Sequence, residues 1–235
     1  SETGLWQSLY ITDIDGDGFA DIVAGNYGTN SRLQVTPDNP LRIYLLDINH
    51  LAMYNPILTY SVNGNEYTFL NKDELEKELP FIKKKYLSYT AFAGKTVQDV
   101  FGEALQKSKM LDAQTMRSCW FKNNGKREFT KMELPFNMQA TPVFAWQNIT
   151  LGNKTNALIS GGNLYGVLPY EGRYDASYGN TLLLQNSQYQ WLPPATSGFC
   201  VRGEIRDIKP IRLVKHQHAL AVAVNNDSIR FFTHQ

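Results

Sequence analysis

Asp13-Ile14-Asp15-Gly16-Asp17-Gly18-Phe19-Ala20-Asp21, running directly into Ile22-Val23-Ala24-Gly25-Asn26, is the stretch on which the fold turns. Carboxylates fall at offsets 0, +2, +4 and +8, and Gly16 and Gly18 allow the chain to turn tightly between them. Four acids within nine residues repel one another unless a cation neutralises them. Calcium is the ion expected here, since it takes about six to eight hard oxygens at about 2.3–2.6 Å. An acidic surface loop without metal is the plainer alternative. The last acid stands at the ninth position, whereas the EF-hand loop has twelve, and a strand-like run comes directly after it. The context is therefore strand, loop, strand.

The Asp-x-Asp-x-Asp-Gly-x-x-Asp pattern closed by Ile22-Val23-Ala24-Gly25-Asn26 resembles the calcium loop of FG-GAP (VCBS) repeats, found in integrin-type β-propellers. The resemblance implies a loop joining two strands of one blade. It also implies Ca2+ ligation by Asp13, Asp15, Asp17 and Asp21, with the Phe19 carbonyl as a further oxygen. Gly25-Asn26-Tyr27-Gly28-Thr29-Asn30-Ser31-Arg32 and Gly172-Arg173-Tyr174-Asp175-Ala176-Ser177-Tyr178-Gly179 look like large exported VCBS-repeat proteins of Bacteroidetes. That likeness implies an extracytoplasmic place, at the cell surface or secreted.

Internal repetition points the same way. Asn148 to Asn163 aligns on Asp13 to Asn26 with two extra residues after Ile159, keeping the strand and the Gly-Asn ending while replacing the acids by Asn148, Thr150, Gly152 and Asn156. Asp47 to Asn55 reads as a third copy with one acid left, and Asp207-Ile208-Lys209-Pro210 as the loop of a fourth. Strong calcium binding is expected only at the first loop. The fold expected is mainly β, a propeller-like array of FG-GAP blades over residues 1–235. It is either one domain or part of a longer propeller whose open edges missing blades or another subunit cover.

Strands are expected at Trp6 to Thr12, Leu41 to Leu46, Pro56 to Val62, Val143 to Trp146, Thr181 to Gln185 and Leu220 to Val224. Asn123-Asn124-Gly125-Lys126 and Asn186-Ser187 read as hairpin turns. Residues 70 to 113 read as a helical insertion. Leu75, Leu79 and Ile82 recur at helical spacing after Asn71, with Pro80 interrupting, and Thr96 with Asp99 offers a second start before Val97, Phe101 and Leu105. Those stripes are expected to pack on the strands.

Composition excludes some functions. The chain has 235 residues, with 23 basic against 22 acidic and a net charge of +1, which disfavours a nucleic-acid partner. Lys83-Lys84-Lys85 reads as a solvated helix end. No apolar run reaches the roughly 18 residues of a membrane span, and Ser1-Glu2-Thr3-Gly4 holds no signal core. Cys119 and Cys200 form no metal or redox motif and are either two buried thiols or a disulfide. No nucleophile elbow, HExxH or phosphate loop is present. His216 with His218 offers at most a weak metal pair. Glu171 with Asp175, and Glu204 with Asp207, read as salt-bridged loop acids before they read as catalytic pairs.

The expected function is a non-catalytic, calcium-stabilised binding or adhesion module, with Arg173, Tyr174, Asp175 and Tyr178 as candidate recognition residues for a glycan or protein ligand; an Arg173–Asp175 pair that merely locks the loop is the plainer alternative. A domain of a secreted carbohydrate-active enzyme is the rival.

Overall fold

The computed structural model describes residues 2–48, 53–126, 128–151, 155–185, 188–213 and 218–233. The chain divides into two compact units, one of Ser1–Gly4 with Leu33–Thr115 and one of Leu5–Arg32 with Met116–Gln235.

In the second unit, β1 (Ser8–Thr12), β2 (Asp21–Gly25), β7 (Cys119–Asn123) and β8 (Phe129–Glu133) form an antiparallel sheet in that order. The strands β9 (Val143–Thr150), β10 (Asn156–Gly162), β11 (Asn180–Gln185) and β12 (Gln188–Leu192) form a second, and β13 (Ile205–Arg212), β14 (His218–Val224) and β15 (Arg230–Thr233) a third. The second and third are meanders of consecutive strands, whereas in the first β2 pairs with β7, which follows it only after the strands of the first unit.

The three sheets stack. Val23 and Trp120 of the first face Trp146, Leu158 and Leu182 of the second, and the indole of Trp120 meets the ring of Tyr189 edge-on at 5.1 Å. On the other side of the second sheet, Ala157 and Ile159 meet Ile205, Ile208, Leu220 and Val222 of the third. These apolar layers hold the unit, at about 25 cal/mol per Å² of apolar surface removed from water.

Two glycines set how closely the sheets approach. A β-carbon at Gly25 would overlap the Val143 carbonyl of β9, and one at Gly161 would overlap Ile205 of β13. Gly25 and Gly161 therefore do the same job in successive sheets. That equivalence corrects the alignment of the repeats. Val23 and Ile159 both face the next sheet, so Ile159 and not Leu158 matches Val23. The β9–β10 ladder also shifts between Gly161 and Gly162, where Gly162 pairs with Val143 and Phe144 of β9 is passed over.

The Gly-Asn ending latches the third strand of the first two sheets. Buried Asn26 accepts no substitute lightly: its backbone N–H donates to Ser118 Oγ at 2.9 Å and its side chain donates to the Arg117 carbonyl at 3.3 Å, just before β7. Asn163 likewise donates to the Ser177 carbonyl at 2.8 Å and accepts from the Ser177 N–H at 3.2 Å, just before β11. In the third sheet Asn225 donates to Glu204 Oε2 at 2.7 Å. Asp207 to Pro210, expected as a loop, lies inside β13, because Ile208 alternates into the core there.

The first unit holds β3 (Leu41–Leu46), β4 (Asn55–Val62), β5 (Asn65–Thr68) and β6 (Lys109–Ala113), in the sheet order β5-β4-β3-β6. Between β5 and β6 run five short helices, α1 (Lys72–Glu78), α2 (Phe81–Lys85), α3 (Tyr89–Phe92), α4 (Val97–Phe101) and α5 (Glu103–Gln106). Helix is thus a minor part of the fold, and residues 109–113 are strand. Asn71 caps α1 by accepting the Glu74 N–H at 3.0 Å, and Thr96 and Asp99 form the capping box of α4. Leu75, Leu79, Ile82, Val97 and Phe101 pack on Leu46 and Ile57 of the sheet, as their spacing predicts. The lysine run ends α2, where Lys85 Nζ donates to the Asp99 and Val100 carbonyls at 2.7 and 2.9 Å.

The expected strands are therefore met, within a mainly β fold of four antiparallel sheets. A closed propeller ring is not formed among the described residues. The Asn123 to Lys126 turn closes β7 on β8, with Gly125 at φ +74°. The Asn186-Ser187 turn, Gly152 of the second loop and residues 49–52 of the Asp47 to Asn55 copy lie outside the described residues.

Candidate metal centre

The first acidic loop connects β1 to β2, which pair in the register Thr12 to Asp21. Asp13 organises the turn: its Oδ1 accepts the Gly16 N–H at 2.8 Å and its Oδ2 the Gly18 N–H at 2.9 Å. Both glycines have positive φ, +76° and +89°. Asp15 accepts the Asp17 N–H at 3.3 Å, and Asp17 the Phe19 N–H at 2.9 Å.

Asp21 closes the loop from the strand side. It has no exposed surface, and its carboxylate accepts the Ile14 N–H at 3.1 Å and the Asn123 N–H at 2.8 Å. Burial pushes its pKa upward despite those two donors. The Phe19 N–H does the opposite for Asp17, holding its carboxyl below the usual range. The Phe19 ring lies against Gly125, where a β-carbon would overlap it, so the β7–β8 turn covers the loop.

One oxygen each from Asp13, Asp15 and Asp21 lies within 4.8 Å of the others. Three convergent hard carboxylates on a glycine-turned loop fit a calcium ion in their chemistry. Asp17 stands apart from that trio and lies 3.4 Å from the ammonium of Lys122, which also binds Asp15. Lys122 was not singled out by sequence reasoning, since only the β2–β7 pairing brings it to the loop.

A family model for the FG-GAP repeat matches residues 5–39. The match covers β1, the acidic loop and β2. FG-GAP repeats are generally extracellular binding or adhesion modules and are typically non-catalytic. No curated protein and no solved structure matches the chain.

The β9 to β10 hairpin carries no acid in its described loop residues. It is closed by the Leu151 N–H donating to the Thr155 carbonyl at 2.9 Å and by Thr150 Oγ1 to Asn156 Oδ1 at 3.2 Å.

Arg173, Tyr174, Asp175 and Tyr178 all fall on the connection from β10 to β11. Tyr174 is buried and meets Tyr27 edge-on at 5.0 Å, while its backbone exchanges two hydrogen bonds with Leu164. The Arg173 guanidinium stacks over Tyr165 at 5.2 Å, and that of Arg202 over Tyr178 at 5.8 Å. Asp175 and Tyr178 line a polar cavity of about 300 Å³ with Asn163, Tyr165, Ser177 and Arg202.

The other candidates resolve into structural roles. Glu204 accepts from the Tyr165 N–H at 2.8 Å and from Asn225, and pairs with Arg206 at 2.5 Å, while Asp207 pairs with Lys209 at 3.2 Å. Cys119 and Cys200 form no disulfide, Cys119 being buried and Cys200 exposed, so the second is not the buried thiol expected. His218 opens β14, and His50, His216 and His234 lie outside the described residues. No helix among the described residues is long and apolar enough to cross a membrane.

Proposed function

We propose that this chain is a calcium-stabilised, non-catalytic binding or adhesion module, built as a propeller-like array of FG-GAP blades and working outside the cytoplasm at a cell surface. The observation that carries the reading is the convergence of Asp13, Asp15 and Asp21 on the loop that the FG-GAP match covers. Asp17 and the Phe19 carbonyl complete the ligand set. In the bound state the ion ties the β1–β2 loop to the base of the strands and offsets the repulsion among its acids. The second hairpin, lacking carboxylates, takes no calcium.

The array reading draws on the stacked sheets and on the faces left at the ends of the stack. Leu9 and Ile11 on β1 are 70% and 68% exposed, and Phe231 on β15 is 62% exposed. A further sheet, from missing blades or another subunit, would cover such faces. Recognition is assigned to the polar cavity, where Tyr178, Tyr165, Asp175 and Arg202 offer ring faces and charges to a glycan or protein ligand. Arg173 flanks it and Tyr174 anchors its loop.

Calorimetric titration tests the reading: one calcium site per chain is expected, abolished by Asp15→Ala, and two strong sites or none would overturn it. For recognition, Tyr178→Ala and Arg173→Ala are expected to weaken glycan or peptide binding while leaving the melting temperature unchanged. Lost stability with unaltered binding would remove the cavity from the proposal.

A further inference from the structure

Lys122 lies on β7 one residue beyond Phe121, which pairs with Ile22 just after the acidic loop. Its ammonium binds Asp15 Oδ2 and lies 3.4 Å from Asp17 Oδ2. The Asp15 side chain is only 9% exposed, so the ammonium meets it at a largely covered carboxylate. Among the loop's acids these are the two that backbone donors serve least: Asp13 and Asp21 each accept two backbone N–H groups, Asp15 and Asp17 one each.

We propose that Lys122 is a built-in counter-cation of the first loop, which orders Asp15 and Asp17 without metal and must release Asp15 before calcium takes that carboxylate. The inference rests on the calcium reading above and adds how the site is regulated. An ammonium brings one charge and directional N–H donors, whereas calcium brings two charges and needs six to eight oxygens around it. A single carboxylate oxygen within bonding distance of both would press two cations together in a partly covered site, which Coulomb repulsion opposes. Calcium binding is therefore an exchange of cations. The exchange weakens the site, and it lets the loop keep its shape when calcium is scarce.

The test compares the wild-type chain with Lys122→Met and Lys122→Gln, and with Lys83→Met as a control that makes the same change in net charge on α2. Titration with calcium chloride should show both Lys122 variants binding about five-fold tighter, the size expected for loss of one partly exposed ion pair. Their melting temperatures in a chelator should fall below wild type, and their gain on adding calcium should exceed it. Lys83→Met should match wild type. If wild type binds calcium and the Lys122 variants bind with equal affinity, the exchange is refuted while the calcium site stands. Equal tightening in Lys83→Met would refute it too, by reducing the effect to net charge. If wild type and variants alike bind no calcium, the underlying reading falls and the exchange with it. Should the variants fail to fold, the wild-type protein decides alone. Calcium should raise the rate at which Lys122 is acylated by an amine-reactive ester, read by peptide mass spectrometry, and an unchanged rate would overturn the proposal.

Discussion

The β1–β2 and β9–β10 hairpins of the second unit share a scaffold and part company at their tips. Both end in a glycine pressed against the next sheet and in an asparagine that latches the third strand of its own sheet. One tip spends four carboxylates on its turn, and the other closes with a Thr-Asn contact and a backbone hydrogen bond. Hairpin pairing, sheet stacking and the latch therefore need no charged loop. The acids of the first tip take on bonds that the second tip makes without them, Asp13 accepting the Gly16 and Gly18 N–H groups and Asp21 those of Ile14 and Asn123.

The two hairpins differ again in the connection that leaves each asparagine. From Asn163 to Ser177 the chain makes a short excursion that lines a polar cavity, whereas between Asn26 and Ser118 it runs through the whole first unit. The latch tolerates both, because it fixes only the two ends of the connection.

The largest effect should come from the packing glycines. Gly162→Ala would drive a β-carbon into the Pro142 carbonyl, and Gly25→Ala into that of Val143. Both oxygens belong to backbone, so the chain itself must move, at about 3 kcal/mol or more. Gly18, with open space around its α-carbon, answers only to its φ of +89°, and Gly18→Ala should cost about 1 kcal/mol. Urea midpoints that fail to separate the three would break the claim that close approach of backbone is what Gly25 and Gly162 serve.

Calcium should distinguish the two tips next. At a concentration a hundredfold above its dissociation constant, the ion should stabilise the wild-type chain by about 2.7 kcal/mol. Asp15→Ala should abolish the gain, and Asn156→Ala should leave it intact. A calcium response that survives Asp15→Ala would assign the ion elsewhere.

Removing either latch should cost about 2 kcal/mol, because each asparagine is buried and its partners would be left unpaired. Asn26→Ala and Asn163→Ala should therefore fall within about 1 kcal/mol of each other in chemical denaturation. A large asymmetry would show that the long excursion, unlike the short one, needs its own restraint.

The smallest effect concerns the third sheet. Burial works against the Glu204 charge, but Asn225, the Tyr165 N–H and Arg206 outweigh it and hold the pKa below the usual 4.5. A lowered folded pKa stabilises the fold above pH 4.5, and that contribution disappears as pH falls through the folded value. Glu204→Gln should thus cost about 1 kcal/mol at pH 7 and less at pH 3. An equal cost at both pH values would mean that the amide replaces the carboxylate at the latch.

Much of this was legible in the chain. The acid spacing, the glycines and the strand run after Asp21 located the candidate metal loop, since local hydrogen bonds from Gly16, Gly18 and Phe19 build it without distant help. Asn71, Thr96 and Asp99 marked helix starts for the same reason. The alignment of the repeats sets Leu158 on Val23 although Ile159 holds the equivalent place, because composition does not say which face of a strand is buried and a single-residue slip exchanges the two faces. Asp207 to Pro210 misled as a loop since its polar and proline residues occupy the outward positions of β13.

Neighbouring residues decide among themselves which segments turn, cap or extend, and where acids gather, so these features are legible along the chain. The tertiary structure alone decided which face of each strand is buried, that Gly25 and Gly161 serve one purpose, and that Lys122 meets Asp15. Those facts depend on groups 107 residues apart in the case of Lys122 and Asp15, whose encounter is set by the pairing of β2 with β7. No local preference encodes that pairing, since it arises from burying Val23 and Trp120 together on one face of the sheet.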